Sequence, residues 1–161
     1  MNLSASWDYI EQVSRSRLSH NKTERHVSQF GEYIETIGAA GELAARRFLK
    51  LPETLHSNFD GGSDMIWGGI RVDVKATILT RKVHNRYLQW PVWKEIKSDI
   101  IILTAVSLEE KVAILLGWAY SREMSSSPVN EKREIPCHEI PVRSLHKPYE
   151  LLEIKAEEIT F

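Results

Sequence analysis

The chain has 161 residues, a formal net charge of −1, 42% hydrophobic and 27% charged side chains, and a single cysteine. These figures suit one soluble globular domain with its own core, and they exclude a disordered chain, a disulfide scaffold and a thiolate zinc site. No stretch approaches the roughly 18 apolar residues of a membrane span, and the start MNLSASWDYIEQ lacks the apolar core of a secretion signal, so a cytoplasmic protein with no membrane partner is expected.

From Ser4 to about Leu18, the residues Trp7, Ile10, Val13 and Leu18 form a loose apolar stripe that predicts a helix, with Ser4 placed to cap it. Ser19 to Lys22 breaks the pattern. Helical spacing returns over Thr23 to Lys50, with Val27, Phe30, Ile34 and Ile37 on one face. Gly31, Gly38 and Gly41 predict a division near Gly38. The second piece, Ala39 to Leu49, offers Leu43, Phe48 and Leu49 for burial and is ended by Pro52. The small side chains of Gly38-Ala39-Ala40-Gly41 suit close packing, which would also bring Glu42 near a sheet.

Asp60-Gly61-Gly62-Ser63 is turn chemistry. Two strand-like runs follow, Asp64 to Trp67 and Ile70 to Lys75, joined by Gly68-Gly69, a strong hairpin signal. Residues 71–97 carry seven Lys/Arg against two Asp/Glu, a local charge of +5 in a chain that is otherwise acidic. Such a patch either binds a polyanion or is a solvated loop. Ile100 to Val106 and Lys111 to Tyr120 are near-continuous apolar runs, as expected of strands covered on both faces. Residues 123–135 are polar and loop-like, a short strand is expected from Arg133 to His138, and Tyr149 to Phe161 has no clear period. The order predicts an α/β or α+β domain with a mixed central sheet of about four to five strands flanked by helices.

The hairpin makes a geometric claim. If Gly68-Gly69 is a two-residue turn, Trp67 pairs with Ile70, Ile66 with Arg71, Met65 with Val72, and Asp64 with Asp73. One face then carries Met65, Trp67, Ile70, Val72 and Val74, all apolar. The other carries Asp64, Ile66, Arg71, Asp73 and Lys75. Carboxylates directly opposed across strands repel and need compensation. A divalent cation supplies it, and so does Lys75 in an exposed, salt-bridged hairpin.

At these residues the chain resembles the PD-(D/E)XK nucleases, the restriction-endonuclease-like fold. The pattern is carried by Ser63-Asp64, an eight-residue gap and Asp73-Val74-Lys75, with Glu42 on the preceding helix. Ser63 stands where the name-giving proline would be. Gly38 to Ala44, Ile70 to Thr77, Lys97 to Leu103 and Ala113 to Trp118 look like the core helix and strands of small phage and bacterial members. The resemblance implies one nuclease domain over 1–161: a helical extension (1–35), a catalytic core (36–120) and a C-terminal elaboration (121–161).

It further implies that Asp64, Asp73 and the Val74 carbonyl hold Mg²⁺, or Mn²⁺ in its place, with Glu42 reaching the metal directly or through water. Lys75 would position the attacking water, so that Glu42, Asp64, Asp73 and Lys75 act together. DNA is the expected substrate, with RNA left open, and a homodimer is compatible because double-strand cutters pair two such domains. Arg81, Lys82, His84 and Arg86 are expected to grip phosphates, extended by Lys94 and Lys97. Tyr87, Trp90 and Trp93 are read as core aromatics or as stacking platforms. Arg15, Arg17, Lys22 and Arg25 form a second candidate grip, and Arg46 and Arg47 either add to it or lie on a solvated helix face. Two rivals remain. One is metal-free RNA cleavage by Arg15 and His20. The other is a non-catalytic nucleic-acid- or protein-binding module on the same fold.

Overall fold

The computed structural model describes residues 1–20, 31–56 and 62–154, without the side chain of His20. The expectations for Lys22, Arg25, Val27, Phe30, Asp60, Gly61 and the tail beyond 154 lie outside these residues. The fold is mixed α and β. A four-stranded sheet has the order β1 (Met65–Trp67), β2 (Ile70–Ile78), β4 (Ile100–Ser107), β5 (Val112–Tyr120). β2 and β4 run parallel and the other pairs antiparallel, so the sheet is mixed as expected.

Gly68 and Gly69 both take positive φ, 56° and 90°, as a tight turn of this hand requires. The pairs Met65–Val72, Ile66–Arg71 and Trp67–Ile70 are those expected. Met65, Ile70 and Val72 are buried while Ile66 and Arg71 are exposed, so the apolar face points inward.

Helix α1 (Trp7–His20) begins after a 3-10 turn at Ser4–Ser6, and it buries Trp7, Ile10 and Val13 as the stripe predicted. Helix α2 (Gly31–Phe48) corrects the expected division at Gly38, because it runs straight through. A mid-helix glycine costs about 1 kcal/mol against alanine, and burial of Ile37, Ala39, Ala40, Leu43, Ala44 and Ala45 outweighs it. Ile34, placed by the spacing on the buried face, is 57% exposed. Gly41 shows why small residues stand here: a Cβ on it would overlap Thr104 Oγ1 on β4 and lie 2.7 Å from Ala76 Cβ on β2.

α2 covers one face of the sheet, where Ala45 and Leu49 meet Val72, Ile100, Ile102 and Trp118. The opposite face, with Ile101, Leu103 and Ala119, meets a second sheet that the sequence reading did not anticipate. Its order is β3 (Tyr87–Pro91), β7 (Cys137–Pro141), β6 (Val129–Asn130), all antiparallel. β3 lies inside the basic segment, and its inward residues Leu88 and Trp90 are buried.

The stretch read as loop from 123 to 135 begins in helix α3 (Ser121–Ser126), where Glu123 accepts the Tyr120 N–H at 2.8 Å and Met124 is buried. The strand expected at Arg133–His138 lies at Cys137–Pro141, in register with β3. β4 is buried almost throughout, whereas β5 leaves Ile114 38% exposed, so only one of the two apolar runs is covered on both faces. A short helix α4 (Pro148–Leu151) buries Leu151 against the first sheet.

Candidate active site

The hairpin positions both aspartates. Asp64 precedes β1; its N–H donates to Val72 O at 2.9 Å, and its Oδ2 accepts the Val74 N–H at 2.6 Å. Backbone groups alternate sides along a strand, so the Val74 carbonyl faces the same edge as its N–H, toward Asp64. Asp73 lies between Val72 and Val74. It is only 6% exposed, which corrects the picture of an open polar hairpin face. The second sheet brings Trp90 to this side: Lys75 pairs with Asp73 and holds its ammonium 4.5 Å from the Trp90 ring centre.

Burial, first, and then the negative charges of Asp73 and Glu42 push the Asp64 carboxyl up to about 7; the Val74 N–H and Lys75 oppose the shift. The rise comes mainly from burial, with the neighbouring carboxylates of Asp73 and Glu42 adding to it.

Glu42 is brought to the site by the close packing of α2 and is 3% exposed. Its oxygens are already taken. Oε2 accepts from Arg17 Nη2 at 2.6 Å, and Oε1 accepts from Arg46 Nε at 3.1 Å. Arg46 Nη2 donates to the Asp64 carbonyl at 2.8 Å, tying α2 to the start of β1. Arg17 Nε donates to the His56 carbonyl at 2.8 Å. Arg46 is thus buried inside the site rather than on a solvated face, and Arg17 is an internal ion-pair partner rather than a surface grip. Arg15 pairs with Glu11 and Glu32, and Arg47 with Glu53. The i, i+4 spacing of Glu42 and Arg46 was visible in the sequence; nothing local pointed to Arg17 or to Trp90 beside Lys75.

Among the described residues, no three His, Cys, Asp or Glu side chains are gathered so as to hold a metal ion. The groups that fit a hard cation are Asp64, Asp73 and the Val74 carbonyl, an all-oxygen set. Glu42 stands beside this set, occupied by its two guanidinium partners.

Arg81, Lys82, His84 and Arg86 are all exposed, just beyond the end of β2 around a 3-10 turn at Val83–Asn85. Thr80, Arg81, Lys82, Asn85 and Arg86 line a surface concavity of about 530 Å³. Lys94 and Lys97 are exposed as well. Of the aromatics, Trp90 is core, while Tyr87 and Trp93 are 45% and 72% exposed. No helix among the described residues is long and apolar enough to cross a membrane. No protein-family model, curated protein or solved structure matches the chain, so its functional reading rests on the chemistry of this site.

Proposed function

We propose that this chain is a divalent-metal-dependent nuclease that hydrolyses phosphodiester bonds in DNA. The observation that carries the reading is the Asp64–Asp73 pair: two carboxylates crowded at one strand edge, one of them lifted to about 7, with a lysine on the second. Buried like charges are costly and persist where a function uses them.

In this reading Asp64, Asp73 and the Val74 carbonyl hold Mg²⁺ or Mn²⁺. When bound, the cation supplies neutralising charge to the phosphodiester and acidifies water. Lys75 donates from Nζ toward the attacking water or a phosphoryl oxygen, where negative charge develops. Trp90 keeps that ammonium on the catalytic side of β2. Arg81, Lys82, His84 and Arg86 take neighbouring phosphates, which positions a strand without reading its sequence. Restriction-endonuclease-like architecture belongs to the same proposal: a mixed sheet, a helix carrying the acid and a hairpin carrying Asp-x-Lys agree with it.

A second reading has an observation of its own. Arg17 and Arg46 saturate Glu42, which suits a site inherited by a nucleic-acid- or protein-binding module that does not cut. A cleavage panel of linear, single-stranded, flapped and branched DNA with Mg²⁺ and Mn²⁺ separates the two. The nuclease reading expects cleavage that vanishes in EDTA and in both Asp73→Ala and Lys75→Ala. Cleavage that survives both substitutions overturns the residue assignment, and tight binding without cleavage of any form favours the module.

A further inference from the structure

We propose that the cavity beside Trp90 is a subsite for one unpaired nucleotide of the substrate strand, adjoining the Asp64–Asp73 pair. Its role in cleavage rests on the nuclease reading, whereas its binding chemistry does not.

The cavity has a volume of about 430 Å³ and lies where the end of β3 meets the start of β4. Two links join it to the candidate catalytic residues. Trp90, which lines it, is the ring that Lys75 approaches to 4.5 Å. Arg71, which also lines it, shares one face of β2 with Asp73 and Lys75 by strand alternation. A strand with its scissile phosphate at the aspartates would thus have an adjacent nucleotide within reach of this cavity, and its other side toward Arg81 to Arg86.

The lining suits a nucleotide. Lys94 and Arg122 bring cationic groups, and Arg71 stands in an ion pair with Asp99. Of the two acids present, Asp99 is committed to Arg71, with Nη2 at 2.8 Å and the Arg71 N–H at 2.8 Å; Glu95 is the other. His138 Nδ1 donates to the Ser127 carbonyl at 2.9 Å, the one direction a carbonyl permits, which fixes the ring beside the cavity. Trp93, between the lining residues Val92 and Lys94 in the chain, is 72% exposed, a large aromatic face open to a base.

Size decides the form of nucleic acid. A volume of 430 Å³ lies in the range of small-ligand sites and admits a single nucleotide. A paired base is held inside its stack and must be extruded first, whereas a single strand, flap or frayed end offers its bases at once. The subsite therefore makes the protein selective for unpaired nucleotides.

The test is anisotropy of a labelled oligothymidylate of about 12 nucleotides in EDTA, against a duplex of equal length. Wild-type protein is compared with Trp93→Ala and with Ser125→Trp, which narrows the cavity from its exposed side. Both changes are at exposed positions, and circular dichroism checks the fold. The single strand should bind about fivefold or more tighter than the duplex, and each variant should lose about that advantage. Equal affinity for the two forms, or variants that bind like wild type, overturns the subsite. If duplex is cut with Mn²⁺ yet the single strand has no advantage, the subsite falls while the nuclease reading stands. If the single strand binds as expected and no form is cut, the subsite stands and the nuclease reading falls.

Discussion

Arg17 Nη2 lies 2.6 Å from Glu42 Oε2, joining the N-terminal helix to the candidate active site. The pair is almost fully desolvated, with side chains 18% and 4% exposed. Breaking such a pair leaves a buried carboxylate short of a partner, although Arg46 remains on the other oxygen. Arg17→Ala should therefore lower stability by about 1–3 kcal/mol. It also frees one oxygen of Glu42, whose charge acts on Asp64, so Mn²⁺ should bind several-fold more tightly. Thermal denaturation and Mn²⁺ titration measure the two effects. Arg15→Ala is the control, because its pairs with Glu11 and Glu32 are exposed and worth about 0.5 kcal/mol or less. If Arg17→Ala is as silent as Arg15→Ala, the extension is not part of the site.

Asp64→Asn should separate stability from function. The folded carboxyl sits at about 7, above the ordinary value of 3.8, so the native state binds a proton more readily than the unfolded chain. Stability contributed by this residue is full below about pH 4 and is lost as pH rises toward 7. Asparagine carries no charge and escapes that loss. At pH 8 the metal-free variant should be more stable than wild type by about 1–3 kcal/mol, with the gain fading by pH 4. Mn²⁺ binding should fall sharply in the same variant. In wild type that binding should weaken as pH drops below about 7, because protons compete for Asp64. A variant less stable than wild type at pH 8 would contradict the crowding of charge at Asp64.

The hairpin was legible in the sequence because two local signals agree: a Gly-Gly turn and strict alternation on both sides of it. The central strand β4 was legible as a long apolar run. The second sheet was not, because β3 is only five residues long, offers only Leu88 and Trp90 as inward residues and ends at Pro91. Its partner is distant in the chain, as the Gln89–Glu139 hydrogen bond at 2.8 Å shows. The site divides the same way. Asp64, Asp73 and Lys75 follow from one hairpin, while Arg17 reaches Glu42 across 25 positions and Trp90 reaches Lys75 from another sheet. Arg46 could be found by helical spacing, but spacing alone does not distinguish a buried arginine from a solvated one.

Gly41→Ala and Gly38→Ala form a matched pair on one helix. At Gly41 the added Cβ would overlap Thr104 Oγ1, whose hydroxyl donates to the Lys75 carbonyl at 3.3 Å. Either α2 lifts from the sheet, moving Glu42, or Thr104 gives up that bond. The cost should be about 2–3 kcal/mol, with a measurable loss of cleavage. At Gly38 nothing lies within 4 Å of the new Cβ, so alanine should stabilise by about 0.5–1 kcal/mol through helix propensity and leave cleavage unchanged. Urea denaturation of both variants checks this. Equal effects at the two glycines would show that α2 does not press on β2 and β4 at Gly41.

Trp90 tests whether Lys75 is held by the second sheet. The indole is buried, donates from Nε1 to the Lys94 carbonyl at 2.7 Å, and lies 4.5 and 5.0 Å from the ammonium groups of Lys75 and Lys94. Trp90→Phe keeps an aromatic face but loses the hydrogen bond, so it should cost about 1–2 kcal/mol and leave kcat within a few-fold. Trp90→Leu loses the face and leaves a cavity, at about 2–4 kcal/mol. On the nuclease reading it should lower kcat tenfold or more, because Lys75 would then act as charge develops. Mn²⁺ affinity should stay near wild type in both variants, since neither aspartate changes partner. A Leu variant with normal kcat would mean that Asp73 alone positions the lysine.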